Sequence, residues 1–371
     1  MLPESSQGEE RAEIYVYGFT KEQIAECRRR TFWSGFLMDR YNGLLGGLCC
    51  GINTGDIFLR LPCHDDMFER SIASDAPFFN NRTVDAGLAI LTAASPVSPM
   101  AWLVLVSAIW GDAMTFIHRS AHHGRATYRQ AYEKMYAETE SALQGWVSRL
   151  PEHLQYNERN LERSIQGDYA GTFISFHTMY HFVMLKLSRC MRHGLAPDLV
   201  PRNIRVAHFH AHHVLRIMCD VHSSRRTTIH PGTGHPTNFV FSVAFAGYAA
   251  VSAIDVVGAG GSESNIGHTL DGMAGGNECL RELLQFWHSA KKQHTNGNKR
   301  YYQLKCVIDR PFKATKGCWL GKRWGFEEGA IEDDVDLEAD CIYGVNEQVY
   351  FTALEDDQGK GRGPSGTLRI A

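Results

Sequence analysis

Glu26-Cys27-Arg28-Arg29-Arg30-Thr31-Phe32-Trp33-Ser34-Gly35-Phe36-Leu37-Met38-Asp39-Arg40-Tyr41 is the stretch whose reading decides the fold of this 371-residue chain. It reads as one helix. Thr20 is the expected N-cap, and Gln23, three residues on, stands where a capping box answers the cap's own N–H. Asn42-Gly43 supplies the stop, because glycine takes the left-handed conformation that ends helices. On a 3.6-residue period Trp33, Leu37 and Tyr41 stack along one line, with Phe32 and Phe36 beside them. Arg29 and Arg40 lie near that stripe, and Glu26 with Arg30 forms an i,i+4 pair of opposite charge. Arg28, Arg29 and Arg30 are about 100° apart around the axis, so at most one or two of them address a common anion. The residues favour an amphipathic core helix whose arginines pair with internal carboxylates, Asp39 among them. A phosphate-binding basic patch and a partner-binding face are the alternatives.

The same period recurs downstream. Tyr128, Tyr132, Met135, Thr139, Ala142 and Trp146 mark one packed face, ended before Pro151. Phe173, Phe176, Tyr180, Met184 and Leu187 mark a second behind an expected Asp168 cap. Ile204, Ala207, Ala211, Val214, Leu215 and Met218 mark a third, with Pro201 in the first turn, where proline is tolerated. Asp65 or Asp66 is expected to cap a short helix, and Ala86 to Ala93 is weakly helical. After a Gly/Ser-rich link, Asn277 is expected to cap a last helix carrying Leu280, Leu283, Leu284 and Trp287. No strict heptad persists. The expected fold is therefore all-α: a large irregular helical domain over residues 1–293, then a polar, partly disordered segment over 294–371. In that segment Tyr301 to Leu304 and Gln348 to Phe351 read as short strands or ordered patches. Phe326 to Asp340 is an acidic stretch with interspersed apolar residues, the composition of an activation segment.

Composition sets further bounds. The chain is 44% hydrophobic and 21% charged, with a formal net charge of −3. Such a balance excludes a surface built throughout for nucleic acid. Ten scattered cysteines and a polar, acidic start without a secretory segment imply a reducing compartment and free thiols. Met100 to Gly111 is apolar but too short to span a bilayer. Phe239 to Val257 carries Ser242, Ser252 and Asp255 and reads as a buried helix. No membrane association is expected.

Motifs for catalysis are weak. His208 and His212 stand one helical turn apart, a spacing that can hold a metal between two imidazoles. No third ligand or base accompanies them, so polar-surface histidines are the plainer reading and a metal-dependent helical enzyme the alternative. No Gly-x-Ser-x-Gly elbow, phosphate-binding loop or Cys-x-x-Cys pair occurs, and Gly258-Ala259-Gly260 lacks the rest of a dinucleotide fingerprint. No catalytic, cofactor-binding or metal-binding residue is assigned.

The ordered landmarks resemble the fungal-specific transcription factor domain, the regulatory middle region of fungal binuclear zinc cluster regulators. The resemblance rests on Arg28-Arg29-Arg30, Phe32-Trp33, Asp39-Arg40, Asp56-Ile57 and Leu61-Pro62. Trp146 with Leu150-Pro151 and Leu154, then His177, Tyr180-His181 and Leu187 to Arg189, agree with it. It covers roughly residues 10 to 290. The resemblance implies nuclear regulation of RNA polymerase II transcription and no enzymatic activity. It further implies DNA as a partner, homo- or heterodimers with a related regulator, and a small-molecule effector. The wall candidates for an effector pocket are Trp33, Trp102, Trp110, Tyr180 and Phe245, although the core is the better reading of each. Zinc is implied through a six-cysteine module. Because Cys27 is the first cysteine, this chain is expected to lack that module and to be a shortened or truncated member. A non-DNA-binding protein that modulates a full-length regulator is the other functional class.

Overall fold

The computed structural model describes residues 18–42, 50–79, 97–120, 123–192, 194–228 and 266–284, together with helical positions 291, 294–295, 298 and 301–302. Among the described residues the fold is all-α. The helices are α1 (Lys21–Asn42), α2 (Asp65–Glu69), α3 (Pro99–Ser120), α4 (Arg125–Ser148), α5 (Glu158–Gln166), α6 (Ala170–Arg189), α7 (Val200–Thr228) and α8 (Ile266–Leu283). No strand forms among them; extended pairing is limited to two isolated antiparallel bridges, Arg60 with Phe78 and Cys63 with Val97.

α6 is the centre of the packing. Nearly every residue from Ala170 to Arg189 is buried, as expected of a helix apolar around most of its circumference. α3 and α7 cover α6, α1 packs on α3, and α8 packs on α7, while α4 and α5 also contact α6. One continuous cluster of buried apolar side chains runs from Trp33 to Leu280. The three periodic faces read from the sequence all point into it: Tyr128 and Trp146, Phe173 and Phe176, Ile204 and Val214 are fully buried.

Aromatic side chains with polar tips join the helices. Trp146 stacks on Tyr180 with ring centroids 5.8 Å apart, and its indole N–H donates to the Trp102 carbonyl at 3.0 Å. Trp110 stacks on Phe182 at 5.1 Å and donates to the Arg40 carbonyl at 3.1 Å. The Tyr132 hydroxyl donates to the Leu187 carbonyl at 3.2 Å and accepts from the Asn203 amide. Each such ring contributes apolar burial while its one polar atom finds a partner, so the core carries little desolvation cost at these points.

Several boundaries differ from the sequence reading. Asp168 is not a cap: it sits at φ 57°, in the left-handed region that aspartate tolerates better than most residues. Tyr169 precedes the first turn of α6 and makes no side-chain capping bond. Asn277 is also not a cap. α8 begins eleven residues earlier, and Asn277 lies buried inside it. Gly275 and Gly276 are buried beside it, so tertiary burial overrides their poor helix propensity. The short helix α2 is capped by the His64 imidazole, which accepts from the Asp66 N–H at 3.3 Å, with Asp65 and Asp66 in its first turn. Tyr301 and Tyr302 are helical, not extended. Gly43, Ala86 to Ala93, Phe239 to Val257, Phe326 to Asp340 and Gln348 to Phe351 lie outside the described residues.

The apolar run from Met100 to Gly111 lies in a helix longer than the run itself. α3 has 22 residues and meets the length and composition test for a membrane span, with 78% of its apolar window buried inside the protein. Asp112 does not end it, and Trp102, Trp110 and Ala101 are sealed against neighbouring helices. It is the core helix between α1 and α6.

Gly111 permits the close approach of α1 to α3. A Cβ there would fall 2.6 Å from Arg40 Nε and 2.7 Å from its Cδ, and Arg40 is itself buried and held by hydrogen bonds. Gly111→Ala is expected to lower the unfolding free energy by about 1–3 kcal/mol, the usual range for overpacking. Thermal denaturation checks it, and an unchanged melting temperature would show that Arg40 gives way freely.

Candidate functional site

The arginine-rich helix α1 is the site to which the sequence points. Its start is the reciprocal cap read from the sequence: Gln23 N–H donates to Thr20 Oγ1 at 3.3 Å, and Thr20 N–H donates to Gln23 Oε1 at 3.0 Å. Past the cap, the polar side chains form two clusters, one on each side of the Phe-Trp pair.

The first cluster centres on Glu26, a carboxylate only 2% exposed. Its Oε2 accepts from Arg29 Nε at 2.7 Å and lies 2.6 Å from Arg29 Nη2. Its Oε1 accepts from Arg30 Nε at 3.0 Å and from the Cys63 N–H at 3.0 Å. Arg30 also pairs with Asp65 at 2.7 Å, donates to the Cys63 carbonyl at 3.2 Å and lies 5.0 Å over the Phe68 ring. Burial opposes the Arg30 charge, but its bonds to Glu26 and Asp65 outweigh that and hold its pKa above the ordinary arginine value. Burial, reinforced by the Glu26 charge, pushes the Cys63 thiol up, which leaves it protonated and unreactive at neutral pH. Arg28 faces outward and is exposed. The three arginines thus do three different things, as their phasing requires.

The second cluster centres on Asp39 and Arg40. Asp39 accepts from the Gly51 N–H at 2.8 Å and the Ile52 N–H at 3.2 Å. Arg40, 3% exposed, donates to Asp39 at 2.8 Å and to the Ile52 carbonyl at 2.8 Å. Its guanidinium lies 4.3 Å over the Phe36 ring. Between the clusters Trp33 is fully buried, with Phe32 edge-on at 5.2 Å and Phe36 edge-on at 5.4 Å. Its indole N–H donates to the Arg60 carbonyl at 2.9 Å. Leu61 and Pro62 are buried. The Leu61 N–H donates to the Pro77 carbonyl at 2.9 Å, and the Pro62 carbonyl accepts from Ser98 at 3.1 Å. Chemically this arrangement clamps the segment from Gly51 to Cys63 onto α1; it presents no nucleophile and gathers no open set of cations.

The sequence reading underrated Glu26, seen there only as the partner of Arg30. It also misplaced the histidines. His208 and His212 do lie together, ring centroids 4.4 Å apart, but they are half-buried and not on a polar surface. Burial, with His212 adding, drives the His208 pKa to about 3. A different set, His181, His210 and His213, meets between α6 and α7, and His181 Nδ1 lies 3.0 Å from His210 Nδ1. The i,i+3 step from His210 to His213 is local, but nothing in the sequence announces their meeting with His181.

Among the described residues no three His, Cys, Asp or Glu side chains converge as metal ligands. Cys27, Cys63 and Cys219 there are free thiols on separate segments. Of the effector-wall candidates, Trp33, Trp102, Trp110 and Tyr180 are core residues, and Phe245 lies outside the described residues.

Comparison with known proteins bears on the same stretch. Residues 4–156 match the model of a family described as the fungal specific transcription factor domain. An uncharacterized transcriptional regulatory protein of Schizosaccharomyces pombe is 29% identical over 168 residues, covering 44% of this chain and 17% of that protein. A second uncharacterized transcriptional regulatory protein of the same yeast is 22% identical over 187 residues, covering 44% and 21%. The chain spans about a fifth of the length of these relatives. No solved structure matches.

Proposed function

We propose, from the premise that this chain carries a fungal specific transcription factor domain, that it regulates RNA polymerase II transcription in a fungal nucleus. It is the helical regulatory part of a zinc cluster regulator. The observation that carries this reading is the family match across the α1 clamp, with transcriptional regulatory proteins among the relatives. The family is one of transcription regulators and not of enzymes, and no catalytic role is assigned to any residue. The regulatory domain is taken to be residues 1–293, followed by the polar segment 294–371. Support for extending it beyond the matched residues comes from the core, in which Trp33, Phe176, Val214 and Leu280 belong to one cluster.

In this reading the arginines of α1 do not read DNA. Arg29, Arg30 and Arg40 are engaged by Glu26, Asp65 and Asp39, which leaves Arg28 as the outward cation of the motif. Control is exerted through protein contacts, through pairing with a related regulator, or through an effector between helices.

Tethering tests the reading. The chain fused to an unrelated DNA-binding module is expected to change a reporter's output severalfold, and an unchanged output would overturn it. The purified chain alone is expected to give no site-specific gel shift. Specific binding that weakens steeply with salt would show that a DNA reader resides in it. A second reading is a partner protein that modulates a longer regulator. It is favoured by the outward side of α1, where Met38 is 65% exposed. Co-purification with a longer relative, lost on Met38→Glu, separates it from the first.

A further inference from the structure

The histidines between α6 and α7 take no part in the function proposed above. His181 and His210 are buried and face each other through their Nδ1 atoms at 3.0 Å. At that separation one Nδ1 must carry a proton and the other must offer its lone pair. His213 stacks on His181 with centroids 4.7 Å apart, and its own Nδ1 donates to the Phe209 carbonyl at 2.9 Å. One turn before His181, His177 donates through Nε2 to the Leu154 carbonyl at 2.9 Å. All four rings are therefore tied to fixed partners, and the His181–His210 bond needs a lone pair on one of its two rings. Among the described residues α6 and α7 form the most extensive helix–helix contact.

We infer that the His181–His210 pair is an acid-release catch: it closes the α6–α7 junction while its rings are neutral and opens it when the medium turns acidic. One added proton leaves an imidazolium–imidazole pair that keeps its Nδ1–H···Nδ1 bond once the neutral ring shifts its own proton to Nε2, but it puts a charge in the core. A second proton sets two N–H groups against each other, and the bond is lost. What faces the rings gives that charge no counterion. From α6 they meet His177 and Tyr180; from α7, His213, with the cation Arg216 acting on it. From α4, Glu140 acts on Tyr180 but not on the imidazoles. Among the described residues, no charged group of α3, α5 or α8 acts on them. Burial, with like neighbours adding, holds the His210 pKa down at about 3 and His181 well below the ordinary histidine range.

The sign follows from linkage. Rings that stay neutral when folded and titrate near 6.5 when released bind more protons in the open state. The closed junction is then fully favoured above pH 6.5 and loses ground steadily as pH falls below it.

Hydrogen exchange on the full chain between pH 7.5 and 4.5 tests this. Peptides from residues 173–189 and 204–221 are expected to lose protection before those of α1, with a midpoint near about pH 5. The double variant His181→Asn/His210→Gln keeps an amide hydrogen bond but cannot titrate, and its midpoint is expected to fall by about half a pH unit or more. An unchanged midpoint, or protection lost equally from every helix of the unmodified chain, would overturn the catch. If the double variant does not fold, ring-labelled histidine spectra of the unmodified chain decide. Both rings are expected to stay neutral until release and then titrate together. Smooth titration near 6.5 with the junction still closed would overturn it.

Discussion

Glu26→Ala is expected to lower the unfolding free energy by about 3 kcal/mol, at the lower end of what breaking a buried ion pair costs. Three donors lose their acceptor at once: Arg29, Arg30 and the Cys63 N–H. The buried Cys63 amide is left unsatisfied, a cost of about 1–3 kcal/mol by itself. The guanidiniums are less exacting, since Arg29 is 17% and Arg30 29% exposed and water reaches them once the carboxylate is gone. That partial exposure is why the upper end of the range is not expected. Urea unfolding measures the loss, and a double-mutant cycle with Arg29→Ala should return a coupling of about 1 kcal/mol or more. Arg28→Ala, on the exposed side, should stay within about 0.5 kcal/mol of the parent. A Glu26→Ala loss below that of a surface substitution would mean the clamp contributes nothing to stability.

Trp33→Ala is expected to cost about 3–5 kcal/mol, the range for truncating a buried aromatic. Its ring is fully buried and meets Phe79 at 5.1 Å as well as Phe32 and Phe36. Removing it leaves a cavity among three aromatic rings and strips the Arg60 carbonyl of its donor. Trp33→Phe separates the two contributions: it keeps most of the apolar volume, lacks the indole N–H, and should recover more than half of the loss. The midpoint of denaturation should fall with the slope unchanged. Equal midpoints for parent and Trp33→Ala would mean that the wedge does not hold α1 to the rest of the core.

Helices with long periodic faces were legible in the sequence because each face meets the same core from one side. Tyr128 to Trp146 and Ile204 to Met218 needed nothing but their spacing. The cap at Thr20 was legible because both of its partners lie within three residues. What escaped depends on distant neighbours. Glu26 reaches Cys63, 37 positions away, and His181 reaches His210, 29 positions away; no local pattern announces either meeting. Boundaries failed for a related reason. α8 extends through Gly275 and Gly276, which are buried in the folded chain, a gain that propensity cannot register. Asp168 and Asn277 have the right chemistry for caps, but tertiary packing places the helix starts elsewhere.

The clamp on α1 grips main chain. Trp33 takes the carbonyl of Arg60, Arg40 that of Ile52, and Arg30 that of Cys63. Glu26 and Asp39 take the amides of Cys63, Gly51 and Ile52. Every residue type supplies the carbonyl, and all but proline supply the amide. The grip itself thus makes no demand on side-chain identity in the segment it holds, and the demands that remain there, at Ile57, Leu61 and Cys63, come from the core that buries them.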